Sequence, residues 1–281
     1  MSEICAGIVT YHPDILRLED NLRSVTEQVY KVYVVDNHSS NIDEIRKLVS
    51  SVANAELLEN GHNNGIAAAL NQLCGRAEED GCSWILTLDQ DTVIPVDMIE
   101  TFKPYTIVPE IGIICPEVYY EGCGYQLANR EGTQNVYACM TSAALTRIEA
   151  WYKVGGFRED YFIDFVDNEF CMKLTLNQYR ILRVNACQIS HQLGESGIKK
   201  ILGLKVRYSK HSPLRIYYMA RNNYEFIKEY SMHLSVFKEK VKMGYVLMQG
   251  ILFSDNKKEA IKYARRGIRD AKKGITGKFR A

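Results

Sequence analysis

The sequence predicts an α/β protein: a Rossmann-like, mostly parallel open sheet with helices on both faces, followed by an α-helical C-terminal extension. Three observations predict it. Short β-branched runs alternate with segments of helical spacing over the first 120 residues, as βαβ crossovers require. Strand signals stop near residue 205, where long helical patterns take over. With 281 residues, 46% hydrophobic and 25% charged, the chain has ordinary globular composition and ample material for a buried core.

The elements follow in order. ICAGIVTYH (4–12), KVYVVDN (31–37), AELLEN (55–60), SWILTLD (83–89) and IGIICPEVYY (111–120) read as strands. Between them, 15–28, 42–52, 66–78 and 96–108 carry helical spacing. NVYACMTSAALT (135–146), a helix over 165–176 and ILRVNACQISH (181–191) extend the sheet, so residues 1–204 read as one α/β domain. Helices over 217–230, 236–253 and 256–273 make up a C-terminal region, 205–281.

Formal charge is +1, from 35 basic and 34 acidic residues, which argues against a uniformly basic nucleic-acid binder. The balance hides an asymmetry. Residues 255–281 hold ten Lys or Arg against three Asp or Glu, a net +7 that leaves −6 for residues 1–254. A basic helix with Ala260, Ile261, Ala264, Ile268 and Ala271 on one side suits an anionic membrane surface; a solvated helix, or one that binds an acidic partner, fits the same pattern. The eight cysteines (5, 74, 82, 115, 123, 139, 171, 187) form no CxxC pair and read as small hydrophobes in a reducing compartment. No secretory signal is visible at the N-terminus, and MGYVLMQGILF (243–253) falls short of the ~20 apolar residues that span a bilayer. The expected location is the cytoplasm, with peripheral attachment to the cytoplasmic face of the cell membrane through the basic tail.

In open α/β sheets a ligand binds beyond the carboxyl ends of the strands. The first strand ends in Thr10-Tyr11-His12-Pro13 and the second in Asp36-Asn37-His38-Ser39-Ser40-Asn41. Asn63-Asn64-Gly65 follows the third and opens a helix that contains Asn71, and the fourth ends in Asp89-Gln90-Asp91-Thr92. A single strand-end Asp is usually a turn former or helix cap. Four consecutive polar ends on one edge point instead to a polar ligand. Neither GxGxxG after the first strand nor GxxxxGK[ST] anywhere occurs, which disfavours dinucleotide and P-loop chemistry. Two carboxylates two residues apart, Asp89 and Asp91, are hard oxygen donors suited to Mg²⁺ or Mn²⁺ with positions left for phosphate oxygens.

The ordered set VTYHP, VVDNHSSN, NNGIAAALN, LDQDT, GGFREDYFIDFVDNEFCMK and ISHQLGES resembles the inverting GT-A glycosyltransferases of family GT2. LDQDT with FIDFVDNE and RIYYMARN is most similar to the bacterial rhamnosyltransferase branch, and the resemblance runs from residue 4 to about 225. It implies that Thr10, Tyr11 and Asp36 hold base and ribose, with Asp36 accepting the ring N–H of uracil or thymine, and that Asn64, Gly65 and Asn71 lie along the nucleotide. It places Asp91 on the metal, Asp89 near the donor ribose or sugar, and His191 on the metal or diphosphate. A hydrogen-bonded strand-end histidine is the alternative for His191. Asp167 takes the place of the catalytic base and Glu169 that of the following acid. Val166 precedes Asp167 where the family commonly has Glu, which leaves Asp164 as a competitor. Thr141 and Ser142 match a loop near donor and acceptor sugars. Arg221, like Arg215, is a candidate for the diphosphate of a lipid-linked acceptor, with ordinary surface pairing as the alternative. Trp151, Tyr161, Phe162, Tyr217 and Tyr218 offer sugar-stacking faces but are expected in the core.

The implied activity is metal-dependent, inverting transfer of L-rhamnose from dTDP-β-L-rhamnose to a polyprenyl-diphosphate-linked glycan in bacterial surface polysaccharide synthesis. The alternatives are a transferase using another UDP- or dTDP-sugar, a noncatalytic nucleotide-sugar-binding assembly protein, and a nucleotidyltransferase, which would release pyrophosphate.

Overall fold

The computed structural model describes residues 3–120, 131–191, 196–201 and 204–280. In chain order the elements are β1 (Ile4–Thr10), α1 (Ile15–Thr26), β2 (Val32–Asp36), α2 (Ile42–Ser50), β3 (Ala55–Glu59), α3 (Ile66–Glu79), β4 (Trp84–Asp89), α4 (Met98–Thr106) and β5 (Ile111–Tyr120). They continue with β6 (Thr133–Val136), β7 (Ala144–Arg147), α5 (Ile148–Lys153), α6 (Val166–Leu176), β8 (Arg180–His191), β9 (Ser196–Ile201), β10 (Leu204–Ser209), α7 (Pro213–Glu229), α8 (Val236–Phe253) and α9 (Lys257–Lys272).

The main sheet runs β3-β2-β1-β4-β7-β5-β8-β6. Its first four strands are parallel, and β7 joins antiparallel to β4 and to β5. β1 lies between two parallel partners, and every one of its residues is buried, as a central strand covered on both faces demands. Ile8, Leu18, Leu22, Val34, Trp84, Leu86, Phe102 and Leu145 are among the buried side chains of its core. Asp14 caps α1 by accepting Leu16 N–H (3.0 Å) and Arg17 N–H (3.1 Å), which fixes where the chain turns after β1. The alternating strands and helices of residues 4–120 thus fold as the periodicity predicts, and the sheet is mixed where the later strands join.

The structure revises three expectations. Residues 135–146 are not one strand: β6 pairs antiparallel with β8 at the sheet edge, while β7 inserts beside β4, and Ala143 just before β7 has a left-handed φ of 61°. The sheet ends with β8, and β9 and β10 form a separate antiparallel hairpin where the sequence pattern placed the end of the sheet and the start of an all-helical region. The sulfurs of Cys5 and Cys82 are joined as a disulfide, with Cα atoms 6.2 Å apart, whereas the spacing had read all eight cysteines as free. Cys5 is on β1 and Cys82 lies two residues before β4, so pairing of the two strands brings together thiols 77 positions apart. Cys74, Cys115, Cys139, Cys171 and Cys187 are free, and Cys123 lies outside the described residues.

The chain divides into two units, one holding β1–β8 with α1–α6 and the other holding Asp160–Phe165, the β9–β10 hairpin and α7–α9. The second unit has its own core of Ile216, Ala220, Leu247, Ala260 and Ala264. Gly267 lets α9 approach α7 closely: a Cβ there would stand 2.4 Å from the Tyr217 carbonyl. This packing changes the reading of the basic tail. Ala260, Ala264 and Ala271 are buried, Ile268 is packed on the core, and of the five residues on that side only Ile261 is exposed. The apolar side of α9 is covered by protein.

Candidate active site

At the carboxyl ends of β1 and β2 a hydrogen-bond network forms around Asp36. The buried carboxylate accepts the Thr10 hydroxyl on Oδ1 (2.9 Å), the Ser39 hydroxyl on Oδ1 (2.5 Å) and the Ser39 backbone N–H on Oδ2 (2.8 Å). Ser39 Oγ also accepts the His12 N–H (2.8 Å), and His12 Nδ1 accepts the Ser40 N–H (3.0 Å). The two strand-end loops are thereby locked together. A carboxylate offers about four acceptor directions, so Asp36 keeps one on Oδ2. Thr10 is fully buried, which makes it a positioning residue for Asp36 in place of the nucleotide contact expected of it. Tyr11, at 48% exposure, presents its ring beside that of His12, with centroids 4.2 Å apart.

β4 delivers the acidic turn. Asp89 is half-buried and Asp91 exposed. Thr92 N–H bonds back to the Asp89 carbonyl (3.2 Å), Asn21 Nδ2 donates to the same carbonyl (2.6 Å), and Gln90 Oε1 accepts the Tyr11 N–H (2.9 Å). Beneath the turn, buried Ser142 Oγ accepts the Asp89 N–H (3.0 Å) and bonds to Thr92 Oγ1 (2.7 Å). Thr87 Oγ1 donates to the Thr141 carbonyl (2.6 Å). Thr141 and Ser142 lie in the loop between β6 and β7, and Ser142 shapes the acidic turn from below. Arg17, in the first turn of α1, stands 3.8 Å from Asp91.

The donors present fit a hard divalent cation. Two carboxylates on one turn, one exposed and 3.8 Å from a guanidinium, match the pattern in which Mg²⁺ takes one or two carboxylates and completes its shell with phosphate oxygens and water. No group of three His, Cys, Asp or Glu suited to a metal occurs among the described residues. His191 ends β8, and its side chain lies outside the description.

Gly65 caps α3 with φ 86°, a conformation that needs glycine, and its carbonyl accepts Asn37 Nδ2 (3.1 Å). Asn64 beside it is half-buried. Asn71 does not fit the role expected of it. Its Nδ2 donates to the Phe157 carbonyl and to Glu159 Oε1 (both 2.9 Å), and its Oδ1 accepts Phe157 N–H (2.8 Å) and Trp151 Nε1–H (3.0 Å). Both donors and the acceptor are engaged, so Asn71 ties α3 to the 151–159 segment and has nothing left for a nucleotide.

Asp167 stands half-buried in the first turn of α6, where the helix dipole favours a carboxylate, and its Oδ1 accepts the Asn168 N–H (2.8 Å). One turn on, Cys171 Sγ lies 3.9 Å from the Cys139 carbonyl. Contacts therefore lead from α6 to the 139–142 segment and on to Asp89. Glu169 is buried and faces Lys173 at 3.4 Å.

The second unit carries the other two candidates. Arg221 is buried and donates to the carbonyls of Gly277 (2.5 Å), Asp160 (3.1 Å) and Tyr161 (3.0 Å) and to Asn222 Oδ1 (2.9 Å). Asn222 Nδ2 donates to the carbonyls of Tyr161, Ile163 and Asp164. The pair clamps residues 160–164 and the C-terminal segment, and Arg221 is not available to a diphosphate. Tyr161, Tyr217 and Tyr218 are buried, in keeping with the expectation that they belong to the core.

Asp164 has φ 65°, its Oδ1 accepts Arg215 Nε (3.2 Å), and its buried Oδ2 has no hydrogen-bond partner among the described residues. Burial raises its carboxyl above the usual carboxylate range, against the pull of Arg215. A raised folded value stabilises the fold fully below the ordinary Asp range and loses that stabilisation as pH rises through the folded value. Asp164→Asn, which keeps an oxygen for Arg215, is therefore expected to raise the thermal midpoint by a few degrees at pH 7 and to bring no gain at pH 3. Thermal scans at the two pH values check it.

The sequence assigned no role to Ser39, His12, Gln90 or Arg17, yet each holds or faces a site carboxylate or strand end. Ser39 carried a signal, a hydroxyl three residues after a strand-end Asp, the spacing of an Asx-type turn. Arg17 carried none, because its place depends on how α1 packs beside β4.

The family model described as Glycosyl transferase family 2 matches residues 5–171. The dTDP-rhamnosyl transferase RfbF of Shigella flexneri is 26% identical over 295 aligned positions, spanning 98% of this chain and 97% of that protein. Among solved structures, S. aureus TarS 1–349 in complex with UDP-GlcNAc superposes with a TM-score of 0.63 at 17% identity, covering 97% of this chain and 81% of that one. GalNAc-T7 with UDP, GalNAc and Mn²⁺ gives 0.57 at 13% identity over 68% of this chain, which spans 44% of GalNAc-T7. These two likenesses show a shared fold.

Proposed function

The chain belongs to glycosyl transferase family 2, and we propose that it transfers L-rhamnose from dTDP-β-L-rhamnose, with inversion, to a polyprenyl-diphosphate-linked glycan during assembly of a bacterial surface polysaccharide. The observation that carries the donor assignment is the likeness to a dTDP-rhamnosyl transferase along nearly the whole of both chains. The Asp36 network supports a pyrimidine nucleotide: its remaining acceptor direction suits the ring N–H of thymine or uracil, and the exposed Tyr11 ring offers a stacking face. Gly65 and Asn64 border the nucleotide at the start of α3.

In this reading the first unit carries the donor chemistry. Asp167 accepts the proton of the acceptor hydroxyl while that oxygen bonds to the anomeric carbon and the bond to the diphosphate breaks, releasing dTDP. Asp91, with Asp89 beside it, would hold Mg²⁺ or Mn²⁺; such an ion, when bound, neutralises charge on the departing diphosphate. No covalent enzyme nucleophile is required. An acceptor on a lipid places the reaction at the cytoplasmic face of the membrane.

A second reading, the same chemistry with a UDP-sugar, is favoured by one observation: uracil and thymine share the ring N–H that Asp36 would read. A panel of nucleotide sugars with and without Mg²⁺ or Mn²⁺ separates the two. The expected result is consumption of dTDP-rhamnose at least ~10-fold faster than the UDP-sugars, the order of discrimination a single pocket contact supplies, with dTDP as product and suppression by a chelator. Preference for a UDP-sugar would overturn the donor assignment, and release of pyrophosphate would point to nucleotidyl transfer.

A further inference from the structure

α8 is apolar on two opposite sides. Leu247, with Met243 and Ile251, packs on the core of the second unit. Facing away, Phe237, Val241, Tyr245, Met248 and Leu252 are exposed at 78, 57, 53, 55 and 47%. Their spacing of four, four, three and four residues sets them in one stripe along the helix. Single exposed hydrophobes are ordinary, but a stripe running the length of a helix marks a surface that something covers.

Charge identifies what covers it. Lys238, Lys240 and Lys242 are exposed beside the stripe, and the one acid of α8, Glu239, is half-buried, 3.9 Å from Lys242. Three Lys against one Glu give the helix a net +2. A second copy pairing through this face would bring like charges together. A lipid surface with anionic headgroups supplies both an apolar layer for the rings and counter-charges for the ammonium groups, with the lysine stems lying along the boundary. Four charges on an 18-residue helix forbid insertion across the bilayer, and among the described residues no helix is long and apolar enough to cross one. α9 cannot take this part: its apolar side is covered, so its exposed Lys258, Lys262 and Lys272 add attraction without penetration.

We infer that the Phe237–Leu252 stripe of α8 docks flat on an anionic lipid bilayer. The inference deepens the acceptor half of the function proposed above, and rests on it only in that a lipid-linked acceptor gives the contact a purpose.

Co-sedimentation of the full chain with phosphatidylcholine vesicles, with and without phosphatidylglycerol, tests it. The protein is expected to sediment with the phosphatidylglycerol-containing vesicles and far less with phosphatidylcholine alone. Phe237→Ser with Met248→Ser should weaken that binding ~10-fold or more, since two large apolar side chains leave the interface. Changing Lys238, Lys240 and Lys242 together to Gln should remove most of the preference for anionic vesicles, and changing Lys258, Lys262 and Lys272 to Gln should have a smaller effect. The proposal is overturned if the parent protein stays in the supernatant or if the Ser variant binds like the parent. It is equally overturned if the α9 changes abolish binding while the α8 changes do not, or if the stripe proves to hold a dimer that the Ser variant dissociates on size exclusion. Donor hydrolysis without acceptor, measured on the same proteins, is read separately. Its absence beside normal vesicle binding would count against sugar transfer and leave the docking face standing.

Discussion

Asp167→Asn is expected to lower sugar transfer by ~10²–10⁴-fold, the usual contribution of a positioned general base, while nucleotide affinity stays within about twofold of the parent. The amide is nearly isosteric and still accepts the Asn168 N–H that the carboxylate accepts, so the first turn of α6 keeps its geometry. What is lost is the capacity to take a proton. A noncatalytic binding protein would show no transfer to lose, which makes the split between transfer and binding the discriminating measurement. Asp164→Asn is the matched control. Burial raises the proton affinity of its parent carboxyl, but its Oδ1 is engaged by Arg215 and its backbone carbonyl by Asn222. It is expected to cost far less activity than the change at 167. Rates in the reverse order would assign the base to Asp164.

The alternating strands and helices of the first 120 residues were legible because each buried strand must be apolar on both faces and each covering helix on one, which writes period and run length directly into the sequence. So were the strand ends as the place to look for polar side chains. What the sequence left unread was the state of those side chains. Asn71, Arg221 and Ser142 belong to residue types that bind ligands, and each proves to be engaged by partners far away in the chain: Asn71 by residues 80 or more positions on, Arg221 by carbonyls about 60 positions to either side, Ser142 by the acidic turn about 50 positions before it. Local spacing holds no record of such pairings. The same limit explains the break between β6 and β7, where a continuous apolar run is divided by a backbone that turns left-handed at Ala143. The apolar side of α9 was legible as a stripe, but whether lipid, water or protein would meet it was not, because a helical stripe does not say what covers it.

Removing the proposed metal-side carboxylate should be nearly as costly as removing the proposed base. Asp91→Asn is expected to lower transfer by ~10²–10³-fold, the scale on which loss of one charge-stabilising group at a departing anion is felt. It should also raise the concentration of Mg²⁺ or Mn²⁺ needed for half-maximal activity at least ~10-fold, because a hard cation loses an ionised oxygen donor. Folding should be almost untouched. The partner of Asp91 is Arg17 at 3.8 Å, with both side chains well exposed, and such pairs contribute roughly 0–1 kcal/mol. The turn itself is held from beneath by Ser142, Thr92 and Asn21, none of which bonds to the Asp91 carboxylate. Activity and stability therefore separate at this position, which they would not do at Asp36, where the carboxylate also fastens two loops. A metal titration of parent and variant, with a thermal midpoint on each, reads both quantities. An Asp91→Asn protein that transfers sugar at the parental rate, with the parental metal requirement, would remove this turn from the chemistry and send the search for the diphosphate ligand elsewhere on the sheet edge.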